Sequence, residues 1–460
     1  MSGRIAAVLR RVVAVGDDEA AALLGSCAYS FCLLAGFYVL RPLREEMGVA
    51  GGVRNLPWMF TGTLLATLLL SPPFAALVSR FSRRRFIPYA YRFFTLNLLI
   101  FFVLFEALEG GARVGVARAF YIWTSVFNLF VVSVFWGYMA DVFTSEQGKR
   151  LFGFIAAGGT LGAVAGSGLT ASAVQAVGTV PLLLVAAALV EASVLAFSAV
   201  DRLPVAGGAA GACPASADSP GRVAGPAPAG DPARTDRDTG GLNRTGIWGG
   251  LTLVLRSRYL LGIVLYMLLF TTTSTFAYFE QARLVAAHST SPEARTAIFA
   301  RIDLLVNVVA LAVQAFLTGR LIRRLGVGAT QTILPLVSLA GFVALAFQPV
   351  LGVLMAFQVV RRSADYAAAK PAREVLYTVL DREEKYKAKS FIDTFVYRGG
   401  DALAGWFHSL VTAGGDPATR VVLAALPLTA LWVVVCLRLG RRQQEMAADR
   451  VTPTAVATAL

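Results

Sequence analysis

Ser79-Arg80-Phe81-Ser82-Arg83-Arg84-Arg85 returns 240 positions later as Gly319-Arg320-Leu321-Ile322-Arg323-Arg324-Leu325. A second echo has nearly the same offset, 241: Gly158-Gly159 with Gly162 and Gly166 is matched by Gly399-Gly400 with Gly405. Both basic clusters follow long apolar runs. Runs of this length read as membrane-spanning helices, because a bilayer core of about 30 Å takes roughly 20 residues of helix. Twelve such spans fall near 22–40, 57–79, 86–108, 119–141, 151–174, 180–199, 258–280, 297–319, 329–348, 349–369, 390–412 and 420–438. The repeat divides them into two parallel halves of six. An all-α polytopic membrane protein with a major-facilitator-like architecture is therefore predicted, with a central cavity between halves that rock against each other.

Composition agrees. The 460 residues are 56% hydrophobic and only 15% charged, with a mean hydropathy of +0.64. Soluble proteins carry about 25% charged residues, so a soluble enzyme, a disulfide-rich secreted domain and a disordered tail protein are excluded. Residues 201–245 are rich in Gly, Pro, Ala and Asp and cannot bury enough apolar surface to order themselves. The expected organisation is a first half over 1–200, a disordered linker over 201–247, a second half over 248–442 and a tail over 443–460.

The net charge of +14 is mostly topology. Arg80, Arg83, Arg84, Arg85, Lys149, Arg150, Arg320, Arg323, Arg324, Lys370, Arg373, Arg438, Arg441 and Arg442 all fall on one side, with both termini. The positive-inside rule makes that side cytoplasmic, and the expected location is the cell's inner membrane. Arg4, Arg10 and Arg11 are separated from the first span by Asp17, Asp18 and Glu19, and no cleaved signal peptide is expected. Cys27, Cys32, Cys213 and Cys436 have no metal-ligand spacing and read as inert thiols. His288 and His408 are too isolated for a metal site, and no cofactor is expected. Asn243-Arg244-Thr245 fits a glycosylation sequon but falls in the linker. Gly158, Gly162 and Gly166, four apart, read as a close helix–helix contact rather than a phosphate loop, since no Gly-Lys-Ser follows.

The informative charges are those inside spans, each costing about 2.5–3.5 kcal/mol on insertion scales. Leu40-Arg41-Pro42-Leu43-Arg44-Glu45-Glu46 ends the first span. Arg41 and Arg44, three apart, share a helix face and can together hold a phosphate or carboxylate; the alternative is an interfacial pair neutralised by Glu45 and Glu46. At the repeat offset, Glu280 falls opposite the Arg41 region as a gating or charge-compensating group. Arg301 and Asp303 are two apart and should pair with neighbouring helices. Asp393, Arg398 and Asp401 in span eleven form another gating or ion-pair set, with Arg398 and Asp401 three apart. In span ten Asp365 is the i,i+4 partner of Arg361, beside Arg362. Arg92 and Glu191 have no evident partner.

One segment is more specific than pattern. Lys370-Pro371-Ala372-Arg373-Glu374-Val375-Leu376-Tyr377-Thr378-Val379-Leu380-Asp381, followed by Lys385-Tyr386-Lys387-Ala388-Lys389-Ser390-Phe391-Ile392-Asp393, resembles the loop between spans ten and eleven of the ATP/ADP translocases of plastids and obligate intracellular bacteria. That family reads D-P-T-K-E-M-A-Y-I-P-L-D and then K-V-K-G-K-A-A-I-D. Leu40 to Glu45 resembles its L-R-D-T-K-D, and Phe135 to Ala140 its F-W-G-F-A-N. The resemblance implies substrate contacts at Arg44, at Glu280 and at one of Lys385, Lys387 and Lys389. The chain departs from the family at Arg44 (a lysine there), Pro42 (an acid), Lys370 (an Asp) and Tyr121 (a glutamate).

The leading expectation is thus a secondary transporter, not an enzyme, that exchanges phosphorylated anions such as ATP and ADP. It works as a monomer in the lipid bilayer with no nucleic-acid partner. One alternative is a proton-coupled transporter of another metabolite or drug, with Glu280, Asp303 or Glu191 as the proton site. The other is a membrane scaffold using the linker and the basic tail.

Overall fold

The computed structural model describes residues 19–203, 246–414 and 417–457. The expected linker, Cys213, the sequon and the N-terminal arginines lie almost wholly outside them. No strand occurs among the described residues.

The first half comprises α1 (Ala20–Ala50), α2 (Leu56–Arg80), α3 (Arg83–Ala107), α4 (Gly110–Val142), α5 (Ser145–Val177) and α6 (Leu182–Asp201). A short helix, α7 (Gly246–Arg256), leads into α8 (Arg258–His288), α9 (Pro292–Phe316) and α10 (Thr318–Phe347). Then come α11 (Leu351–Ala364), α12 (Lys370–Leu376), α13 (Arg382–Phe391), α14 (Tyr397–Thr412) and α15 (Pro417–Ala457). Local chemistry sets the ends. Thr144 and Gln147 form a reciprocal capping box at the start of α5, and Ser257 and Ser291 accept from the Leu260 and Ala294 amides at α8 and α9. Gly326, at φ +76°, puts a kink in α10 that an L side chain would resist.

Ten helical segments among the described residues are long and apolar enough to cross a bilayer. The other two expected spans have a different construction. α11 winds through a π-helical turn, Asp365–Ala369, into α12, and α13 winds through a second, Ile392–Val396, into α14. Both carry charges where an ordinary span is apolar: Arg361, Arg362 and Asp365 in one, Asp393, Arg398 and Asp401 in the other. π turns of this kind recur at functional sites because they re-aim side chains.

Two predicted boundaries move in ways that matter. α1 does not end near Leu40 but runs to Ala50, so Arg41, Arg44, Glu45 and Glu46 lie inside it. Nothing breaks the helix until Gly51 and Gly52, the latter at φ +93°. Likewise α8 runs to His288, which places Glu280 within the helix.

Each half has its own core, and a cluster of Leu56, Met59 and Tyr121 with Phe279 and Ala282 joins the two. One apolar core runs from Ala22 to Val200 around Tyr29, Tyr91, Phe127 and Phe197, with the Tyr29 and Tyr91 hydroxyls 2.6 Å apart. A second surrounds Tyr266, Met267 and Trp432, with a smaller cluster around Phe276 and Phe342 beside it. The glycine ladder of α5 lies against α1: Gly158 on Cys27, Gly162 on the Phe31 carbonyl, Gly166 on that of Ala35. Each step is four residues on both helices, so a methyl group at Gly162 or Gly166 would overlap backbone.

Candidate functional site

Between the halves is a cavity of about 230 Å³. α1 contributes Arg41, Arg44 and Glu45, α2 Phe60 and α4 Tyr121. From the second half come Phe270, Ser274 and Tyr278 of α8, Asp303 of α9, and Gln358, Arg361 and Arg362 of α11. The π turn supplies Asp365 and Tyr366, and α14 supplies Tyr397, Arg398 and Asp401. Five guanidinium groups thus meet four carboxylates in one space.

Most of the arginines are already engaged. Arg44 donates to Ser125 Oγ at 3.0 Å and to Glu45 Oε1 at 2.9 Å, and its guanidinium lies 4.0 Å above the Tyr121 ring. That face-on contact sets the cation against the electron-rich ring. Arg41 Nε stands 3.6 Å from Asp303 Oδ2, and Arg362 stands 2.7 Å from Asp303 Oδ1. Arg398 and Asp401 approach to 3.9 Å.

Arg361 differs. It is 5% exposed and donates only to hydroxyls, Ser338 Oγ at 3.3 Å and Ser274 Oγ at 2.5 Å. It has no carboxylate within ion-pair distance among the described residues. The expected Arg361–Asp365 ion pair does not form: the Asp365 amide bonds the Arg361 carbonyl and keeps the i,i+4 register, but the Arg361 side chain turns to Ser338 and Ser274 instead. A buried cation with no carboxylate in direct contact is costly until an anion arrives.

Aromatic rings line the same space. Phe60 stacks on Tyr278 at 5.6 Å and on Tyr121 at 6.3 Å, and the Tyr121 and Tyr278 hydroxyls bond at 3.0 Å across the halves. Further bridges lie toward the end of the bundle opposite the linker. Arg295 of α9 makes two bonds to Glu46 of α1, at 2.7 and 2.6 Å, and Trp406 of α14 donates to Thr61 Oγ1 of α2 at 3.1 Å. The halves are closed on that side.

Several predicted site residues lie elsewhere. Glu280 does not face Arg41: it is buried in the second half, bonded to Arg283 at 2.7 Å and 3.6 Å from His408. The repeat offset gave its depth but not its direction around α8. Lys385, Lys387 and Lys389 are on α13 and do not line the cavity; Lys389 reaches Glu374 at 2.5 Å. Asp393 also lies outside it, while Asp303, Arg398 and Asp401 line it. Arg92 and Glu191, which had no evident partner, pair with each other at 3.2 Å between α3 and α6. Sequence reasoning passed over Phe60, Tyr278, Gln358, Tyr366 and Tyr397 as site residues. The adjacent Arg361-Arg362 in mid-span was the available signal. No group of three or more metal-binding side chains gathers among the described residues.

No protein-family model matches the chain, and no curated protein matches it in sequence. Solved structures do match in shape. A substituted form of the nucleoside transporter NupG aligns with a TM-score of 0.59 over 92% of this chain and 99% of its own, at 11% identity. An auto-inhibited POT-family peptide transporter aligns at 0.57 over 91% of this chain and 96% of its own, at 13% identity. An inward-facing bacterial homologue of the human lysosomal transporter Spinster gives 0.53 over 92% and 97%, at 13% identity. The chain has the major-facilitator fold. It is a multi-pass membrane protein.

Proposed function

We propose that this protein is a secondary transporter that exchanges phosphorylated anions, with nucleotides as the leading substrate class, by alternating access. The carrying observation is Arg361: a buried guanidinium in the central cavity held only by hydroxyls, among four more arginines. Guanidinium groups bind phosphate oxygens through paired donors, and the Phe60–Tyr121–Tyr278 rings offer a stacking surface for a planar base. The likeness of the 370–393 segment to ATP/ADP translocases and the fold shared with a nucleoside transporter support the same choice. In this conformation the cavity is smaller than the about 300–1,000 Å³ of typical ligand sites, so a nucleotide enters when the halves part further.

Ligand-induced stabilisation of the purified protein tests this. A nucleotide at about a hundredfold its Kd adds about 2.7 kcal/mol to stability. ATP, ADP or a sugar phosphate should raise the melting temperature of the wild type, and Arg361→Gln should remove the rise. If none of these anions shifts the melting temperature, the anionic-cargo reading is wrong.

A further inference from the structure

Asp303 touches arginines from both halves. Its Oδ1 meets Arg362 of α11 at 2.7 Å, and its Oδ2 lies 3.6 Å from Arg41 Nε of α1. The residue is 2% exposed, and Oδ2 accepts no hydrogen bond among the described residues. The charged and titratable groups around it are Tyr38 and Arg41 from α1, Arg361 and Arg362 from α11, and Asp365 and Tyr366 from the π turn. α8 brings Tyr278 to the same cavity. α5, packed along α9, has titratable residues only near its start, Glu146, Lys149 and Arg150. The basic residues of α10, Arg320, Arg323 and Arg324, lie past the far end of α9 at Phe316.

The other two carboxylates that could carry a proton are placed differently. Glu280 is closed in with Arg283 and His408 outside the cavity, and Glu191 pairs with Arg92 on the outer surface of the first half. Neither meets both halves.

We propose that Asp303 is a proton-binding site linked to anion binding, so that the cargo enters the cavity with one proton. The proposal rests on the reading of the cavity as an anion site. In the empty cavity the carboxylate serves as the internal counter-ion of Arg41 and Arg362. A phosphate group that reaches those arginines supplies the same negative charge, and an ionised Asp303 then faces a like charge at short range. Taking a proton at Oδ2 removes that repulsion and turns the carboxyl group into a hydrogen-bond donor toward the anion. The proton comes from water on the side of entry. It returns to water when the anion leaves, as the ionised carboxylate closes again on Arg41 and Arg362. Because Arg41 and Asp303 belong to different halves, the same event releases one of the ties between them. Linkage makes the effect reciprocal: the proton tightens the anion and the anion tightens the proton.

Isothermal titration of the detergent-purified protein with ATP, in two buffers of different ionisation heat, counts the protons. At about pH 8 the terminal phosphate is already ionised, its second pKa being about 6, and contributes little. The wild type should take up about one proton per ATP bound. Asp303→Asn should take up none, and Glu280→Gln should match the wild type. Binding without proton uptake in the wild type, or undiminished uptake in Asp303→Asn, overturns the proposal. If Asp303→Asn does not fold, the wild type decides alone: its affinity for ATP should fall by up to about tenfold per pH unit above pH 8, and a flat profile overturns the proposal. If neither ATP nor ADP binds at all, the anion reading of the cavity fails and the proton site fails with it.

Discussion

The two ends of α1 follow opposite rules. From Cys27 to Ala35 the helix presents backbone to the glycine ladder of α5 and carries no charge. From Tyr38 to Glu46 it presents Arg41, Arg44 and Glu45 to the cavity and Glu46 to Arg295. The first stretch gains from close van der Waals contact and leaves no room for movement. The second holds charges whose partners lie on other helices, and so makes contacts that can be exchanged. The proposed alternating access needs both: a rigid half, and an interface between halves with alternative partners.

The largest expected effect is at the exchangeable end of this contrast. Arg361→Gln removes the one cavity arginine without a carboxylate partner. Loss of a buried charge-assisted contact costs about 2–5 kcal/mol, so ATP affinity should fall by about 30-fold or more while the melting temperature of the ligand-free protein changes little. A variant that binds ATP normally would show that Arg361 is structural.

At the rigid end, Gly162→Ala overpacks α5 against the Phe31 carbonyl. Overpacking costs about 1–3 kcal/mol, seen as a lower melting temperature in detergent, with ATP affinity per folded molecule unchanged. If stability is unaffected, α1 and α5 are less tightly apposed than described.

Between the two extremes is the seal. Tyr121→Phe removes the hydroxyl that bonds Tyr278, a contribution of about 0.5–1.5 kcal/mol. Labelling of a single cysteine at Met59, buried beside Tyr121 on the closed side, should then rise by severalfold in a background lacking the native cysteines. Unchanged labelling would mean that Glu46–Arg295 and Trp406–Thr61 keep the side shut without it. The smallest effect belongs to Arg92 and Glu191, which neutralise each other away from the cavity. Replacing both with Leu should change ATP binding by less than about twofold, since additivity holds for distant sites.

The contrast along α1 also marks what could be read from the chain. The repeat, the apolar runs and the four-residue glycine spacing are periodic, and periodicity is what a sequence displays; fold and glycine contact were legible for that reason. Arg41 and Arg44 were legible as well, because charges in a span are conspicuous. Glu280 was not, because residues inside one span can turn to the cavity, to lipid or to a neighbour, and the offset between halves does not choose among them. Arg361 reads from the chain as half of an i,i+4 pair with Asp365, but its side chain goes to hydroxyls of α8 and α10, a choice that spacing along one helix does not show. The aromatic lining was hidden by its company. Phe60, Tyr278 and Tyr397 are apolar enough to pass for span residues, and only the tertiary structure gathers them around the arginines.

Counterflow bears most directly on what the cavity carries. Proteoliposomes containing the protein and loaded with unlabelled ADP should accumulate labelled ATP far faster than vesicles loaded with buffer alone, and Arg361→Gln should abolish the difference. Equal uptake in loaded and empty vesicles, with no response to any nucleotide or sugar phosphate inside, would contradict anion exchange through this site.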